Sequence, residues 1–225
     1  MSPLLANVYL HEVLDVWFED EVRPRLKGRA FLIRYADDAL MGFQKEEDAR
    51  RVLEVLPKRF GKFGLALHPE KTRLLDFRKP RRKPDDSDDH PGPGSFDLLG
   101  FNHHWALTRK GGWAVRRKTT KGRFSRALKR IAEWCRDHRH QSLADQHRIL
   151  CQKLRGHFGY YGITGNSTAL NRFCFEVKGI WRKWLSRRSQ KAMVNWSAMH
   201  RLLKRYPLPS PIAAKSTLRR SAVNP

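Results

Sequence analysis

The sequence is short of acids and of cysteine, and it has no long apolar run. Its 225 residues hold 22 Asp and Glu against 46 Lys and Arg, a formal net charge of +24. A chain this basic, with a pI near 10.7, calls for a polyanionic partner. The three cysteines, Cys135, Cys151 and Cys174, are odd in number and far apart. They form no C-x-x-C pair, which argues against a zinc ribbon and a disulfide framework and leaves buried thiols in a reducing compartment. No stretch is apolar and long enough to span a membrane, and no signal peptide is visible. The location expected on those grounds is cytoplasmic. Internal repeats are also absent. What the chain does have is 40% hydrophobic and 11% aromatic residues. That is enough for a real core in one large domain or two small ones.

The positive charge is unevenly placed. Residues 1–112 carry 20 Lys and Arg against 18 Asp and Glu, whereas residues 113–225 carry 26 against 4. Mixed signs would serve solubility equally well, so a one-sided excess points to nucleic acid. An anionic membrane surface is the weaker rival, since it would ask for an amphipathic helix and little other architecture.

Hydrophobic periodicity predicts a helix over Ser2–Phe18, with Ser2-Pro3 as its start signal. Two short strands, Phe31–Tyr35 and Ala39–Phe43, flank an acidic tip. A helix follows over Glu46–Gly64, closed by glycine. Leu65–His68 and Arg73–Phe77 read as strands or extended segments around Pro69-Glu70-Lys71-Thr72. Residues 78–95 are polar, rich in Pro and Gly, and read as a mobile surface loop. Extended structure resumes over Phe96–Phe101 and Trp105–Thr108. From Lys121 onward the pattern is helical, over Phe124–His138, Ser142–Ile163, Ser167–Arg188 and Trp196–Tyr206. Gly165-Asn166 separates the second and third of these. The expected class is α+β, with antiparallel strands and helices first, then an all-α bundle over 113–206 and a basic disordered tail over 207–225.

The stretch Phe31-Leu-Ile-Arg-Tyr-Ala-Asp-Asp-Ala-Leu-Met-Gly-Phe43 sets two carboxylates, Asp37 and Asp38, between apolar strands. Strand side chains alternate faces, so neighbouring acids do not serve packing. An Asp-rich turn is the plain reading. A magnesium site is the functional one, because that hard cation takes one or two carboxylates and completes its shell with phosphates and water.

With Tyr35 included, Tyr35-Ala36-Asp37-Asp38 resembles the Y-x-D-D motif of reverse transcriptases. Ser2-Pro3-Leu4-Leu5-Ala6-Asn7-Val8-Tyr9-Leu10 resembles the palm helix that follows the template-contacting turn. Phe63-Gly64-Leu65 through Thr72 resembles the next palm motif. Phe96-Asp97-Leu98-Leu99-Gly100-Phe101 resembles the primer-grip hairpin. Lys153-Leu154-Arg155-Gly156-His157-Phe158-Gly159-Tyr160-Tyr161-Gly162 resembles the signature of the thumb, or domain X. Order and spacing together are similar to the group II intron-encoded reverse transcriptase/maturase family over nearly the whole chain.

That resemblance implies a partial palm over 1–112 and a thumb/maturase domain X over 113–206. It implies magnesium-dependent DNA synthesis on an RNA template with a DNA primer, together with help in splicing the intron RNA. Asp37 and Asp38 would be metal ligands. Lys71 would lie near the incoming nucleotide or departing pyrophosphate; it reads equally as a turn lysine. Leu99 and Gly100 would bring the primer-grip backbone close to nucleic acid. The family's palm also uses an earlier aspartate and a fingers region, which this sequence does not contain. The expectation is therefore a chain cut off at its front, inactive or nearly so as an isolated polymerase, with an N-terminal half missing or separately encoded. A non-catalytic RNA-binding maturase remnant and a decayed mobile-element fragment are the alternatives.

In the second half, cations and aromatics interleave. Arg116, Arg117, Lys118, Lys121, Arg123, Arg126, Lys129, Arg130, Lys153 and Arg155 are the candidates for phosphate contact, since buried cations are costly. Phe158, Tyr160, Tyr161, Phe173, Phe175, Trp181 and Trp184 are expected mainly in the core. Gly156, Gly159 and Gly162 would admit a neighbouring helix or an RNA backbone, with helix contact favoured. His90 and His103-His104 lack partners for an endonuclease metal site, so no endonuclease is expected.

Overall fold

A computed structural model describes residues 2–80, 94–189 and 193–211. The loop expected over 78–95 and the tail expected over 207–225 lie largely outside the described residues. The elements form a mixed α+β architecture with two small antiparallel sheets. Among the described residues, no helix is long and apolar enough to cross a membrane. The chain divides into two compact units, Met1–Leu99 and Gly100–Pro225.

The first unit opens with α1, Pro3–Leu10, a helix with no buried residue. The α-helix expected to run to Phe18 ends early. After Leu10 the chain passes into a π-helical segment, His11–Val22, and a short 3-10 turn, Arg23–Arg25. The apolar spacing explains the change. Val13, Leu14, Trp17, Phe18 and Val22 are the buried residues there. Their intervals of four and five fit the i→i+5 pattern, about 4.4 residues per turn, and would spread around an α-helix. Strands β1, Ala30–Tyr35, and β2, Asp38–Phe43, pair antiparallel with Leu32 opposite Met41. Phe31 stands opposite Gly42, and its ring fills the space that a Gly42 Cβ would need. Only glycine accepts that approach.

Helix α2, Glu46–Lys62, buries Val52, Leu56 and Phe60 against the π segment's stripe. Glu46, Glu47 and Asp48 occupy its first turn, where the helix dipole favours negative charge. Asp48 is 1% exposed and accepts the Gly28 and Lys27 backbone N–H groups at 2.9 and 3.3 Å. The segments Leu65–His68 and Arg73–Phe77, expected as strands or extended, form no strand. Strand β3, Ser95–Leu98, ends the unit.

In the second unit, β4, Phe101–Leu107, pairs antiparallel with β5, Trp113–Thr119. The chain from 113 is thus a strand before it is helical, because the Gly111-Gly112 turn returns Trp113 opposite Leu107. Four helices follow: α3 Lys121–Asp137, α4 Leu143–Tyr161, α5 Ser167–Leu185 and α6 Trp196–Arg205. Their core is Ile131, Cys135, Leu150, Leu154, Phe158, Leu170, Phe173, Val177, Trp181, Leu185 and Met199. Cys135, Cys151 and Cys174 are free, buried thiols.

Two polar residues hold this core in register. Gln146 is buried and donates to the carbonyls of His138, Arg139 and Gln141, while its Oε1 accepts from Trp181 Nε1 at 2.9 Å. Asn166 is buried at the start of α5. Its Oδ1 accepts from Thr119 N at 2.9 Å, and its Nδ2 donates to Thr119 Oγ1 and to Tyr161 O. Tyr160 and Phe175, expected in the core, are 55% and 62% exposed instead. Each falls outside the buried stripe of its helix. The expected helix contact at Gly156 and Gly159 is also not made: nothing lies within 4 Å of where their Cβ atoms would be.

Candidate active site and nucleic-acid interface

The acidic tip is a two-residue hairpin turn. Tyr35 pairs with Asp38, which leaves Ala36 and Asp37 as the connection. Ala36 has φ +53. A left-handed conformation is costly for an L-residue with a Cβ, by about 1–2 kcal/mol. Such a position persists only when its surroundings hold it. Here Arg34 does so. Its Nη1 donates to Ala36 O at 3.1 Å and to Asn7 Oδ1 of α1 at 2.9 Å. Its Nε and Nη2 grip the Asp15 carboxylate of the π segment at 2.8 and 2.7 Å. The Arg34 hydrogen bonds hold the Asp15 carboxyl below its ordinary pKa against the opposing effect of burial. Asn7, Asp15 and Arg34 therefore fix the tip, and no residue-type pattern in the sequence had marked them.

Asp37 and Asp38 are both exposed at that tip. They present oxygen donors to solvent, which is the chemistry a hard divalent cation takes. Among the described residues, no group of three His, Cys, Asp or Glu stands together as a metal cluster. The donor set thus suits a cation that draws its remaining ligands from phosphate and water. Lys71 is exposed on a turn in which Lys71 N and Thr72 N donate to His68 O. No hydrogen bond or ion pair joins it to Asp37 or Asp38.

Leu99 and Gly100 form the turn between β3 and β4, with φ of +52 and +80. Two consecutive positive φ values make a tight hairpin connection. Within the second unit, Gly100 O accepts from Thr120 N at 3.0 Å, and a Gly100 Cβ would stand 3.0 Å from the Tyr161 hydroxyl. Phe101 stacks on Tyr160 at 5.8 Å and meets Tyr161 edge-on at 5.3 Å. Burial pushes the Tyr161 phenol up, and the nearby Arg123 and Arg126 act the other way.

The candidate phosphate-contacting cations are distributed around this unit. Arg116, Lys118, Lys121, Arg123, Arg126, Lys129, Arg130, Lys153 and Arg155 are exposed, while Arg117 is half-buried. Lys129 pairs loosely with Glu133 at 4.0 Å, and Lys153 lies over the Trp134 ring at 5.6 Å. Sequence reasoning placed the cations outside correctly because charge burial is costly. It could not distinguish Tyr160 from its core neighbour Tyr161, since adjacent helical positions differ only by rotation.

Comparison with curated proteins gives no match to this chain. Residues 1–103, the segment that holds the acidic hairpin and α2, match the model of one family: reverse transcriptase (RNA-dependent DNA polymerase).

Proposed function

We propose that this protein works in the manner of a group II intron reverse transcriptase/maturase, with a palm portion over 1–112, a thumb/domain X over 113–206 and a cytoplasmic location. The observation that carries the reading is the Tyr35–Asp38 hairpin, two exposed carboxylates on a strained turn, inside the segment that matches reverse transcriptases. The basic helical unit supports it by suiting the backbone of an RNA template and of an intron RNA.

Asp37 and Asp38 would hold magnesium. When bound, such ions activate a hydroxyl and stabilise leaving pyrophosphate. The chain's own part is positional: Arg34 holds the turn, and the turn aims both carboxylates outward. Lys71 would offset charge on the departing pyrophosphate. A second reading, RNA binding without polymerisation, draws its support from the exposed cations of the second unit.

Primer extension on an RNA template with magnesium, run beside RNA-binding titrations, separates these. Extension that disappears in Asp37→Ala supports the polymerase. Salt-dependent RNA binding without extension supports the maturase-only reading. Absence of both refutes the proposal.

A further inference from the structure

The β4–β5 hairpin sets two of the candidate phosphate-contacting cations beside a histidine to which neither reading gives a role. Its register sets His104 opposite Arg116 and Asn102 opposite Lys118. Opposed residues share a face, as do positions two apart on a strand. All four side chains therefore stand on one face of the hairpin. Arg116 and Lys118 are exposed, and among the described residues no ion pair joins a carboxylate to either; Arg116 donates from Nη2 to Leu107 O at 3.0 Å. His104 Nδ1 is buried with no hydrogen-bond partner. The cluster is thus two cations and an imidazole on one face of the hairpin.

We propose that His104, Arg116 and Lys118 form a phosphate site that takes one phosphodiester group of a bound nucleic-acid strand. The source of the phosphate rests on the nucleic-acid reading above; the chemistry rests on the hairpin alone. A phosphate supplies negative charge, and charge-assisted hydrogen bonds from a guanidinium and an ammonium are the strong kind. Burial first, then Lys118 and Arg116, hold the free His104 ring below its ordinary pKa, with the Asn102 backbone opposing. His104 is the group in this cluster whose protonation a bound anion would change. An anion between them reverses the local field, and by linkage the ring takes up a proton as the strand binds. Binding then tightens as the pH falls through that range.

The test is an NMR titration of the His104 ring in the full chain. It is run free, with a ten-nucleotide single strand, and with inorganic phosphate at equal phosphate concentration. The expected result is a rise in the His104 pKa of about half a unit or more with the oligonucleotide, a roughly threefold gain in proton affinity. The double variant Arg116→Gln/Lys118→Gln is expected to reduce the salt slope of binding by about 1.4, near 0.7 per charge for single strands. Lys118→Gln alone, at an exposed position, gives half that change and guards against a misfolded hairpin. If the oligonucleotide binds while His104 and the slope stay unmoved, the site is refuted and the nucleic-acid reading stands. An equal shift with inorganic phosphate refutes the nucleic-acid source. Failure of the strand to bind at low salt refutes the nucleic-acid reading itself, and this source with it.

Discussion

Lowering the pH from 7 to 5 tests the buried imidazole of His157. Its ring stacks on Phe173 at 3.7 Å and 9°, and its Nε2 is buried with no hydrogen-bond partner. Burial pushes its pKa down to about 4. An unfolded histidine titrates near 6.5, so between those values the unfolded chain binds more protons than the folded one. Stability from the neutral ring is therefore complete above about pH 6.5. It declines as the pH falls, and it is gone below about 4. At pH 5 most of a 1.5-unit gap is realised, about 2 kcal/mol at full burial, and solvent access to the ring reduces this to roughly 1 kcal/mol. His157→Phe keeps a ring against Phe173 and removes the titration. Urea denaturation of both proteins at pH 7 and 5, read by amide exchange in α4 and α5, isolates the contribution. The native chain should lose about 1 kcal/mol more than the variant over that interval. Equal losses would refute the argument.

Two further outcomes come from the polar networks. Arg34→Ala leaves Asn7 Oδ1 and Ala36 O without this donor and Asp15 with His11 alone, at a cost of about 1–2 kcal/mol because both charged partners keep some solvent. The Asp15 carboxyl should titrate higher in that variant, which a carboxyl NMR titration reads directly. Loss of the Arg34 pairing removes stability that in the native chain is present above the ordinary aspartate pKa and fades as the pH falls through the lowered one. Gln146→Leu orphans Trp181 Nε1 and Arg139 O, while His138 O keeps Gln141 N and Gln141 O keeps Arg188, and it should cost about 2 kcal/mol in a urea titration.

Much of the candidate site was legible because its signals are local. Two adjacent acids between apolar strands need no tertiary information to stand out, and the hairpin register follows from its two-residue turn. The strain at Ala36 was not legible, since nothing in Tyr-Ala-Asp-Asp states which residue takes the positive φ. Nor was Arg34's role, because an arginine in a strand looks like an exposed charge until its partners are known. The helical reading of residues 11–18 held, but the π register of that helix was not legible, for a related reason. A window tuned to 3.6 residues per turn accepts Leu14, Trp17 and Phe18 but does not weigh Val13 and Val22, whose burial selects the wider π register.

The sequence alone determined the mixed α+β class, the helices α2 to α6 to within a turn, and the concentration of positive charge after residue 112. These depend on periodicity and composition, which are properties of neighbouring residues. Tertiary structure decided the rest. Arg34 reaches Asp15 across 19 positions and Asn7 across 27, Asn166 reaches Thr119 across 47, and Gln146 reaches Trp181 across 35. Each contact exists only once the chain has closed a loop and excluded water around a polar group that must then find its partner.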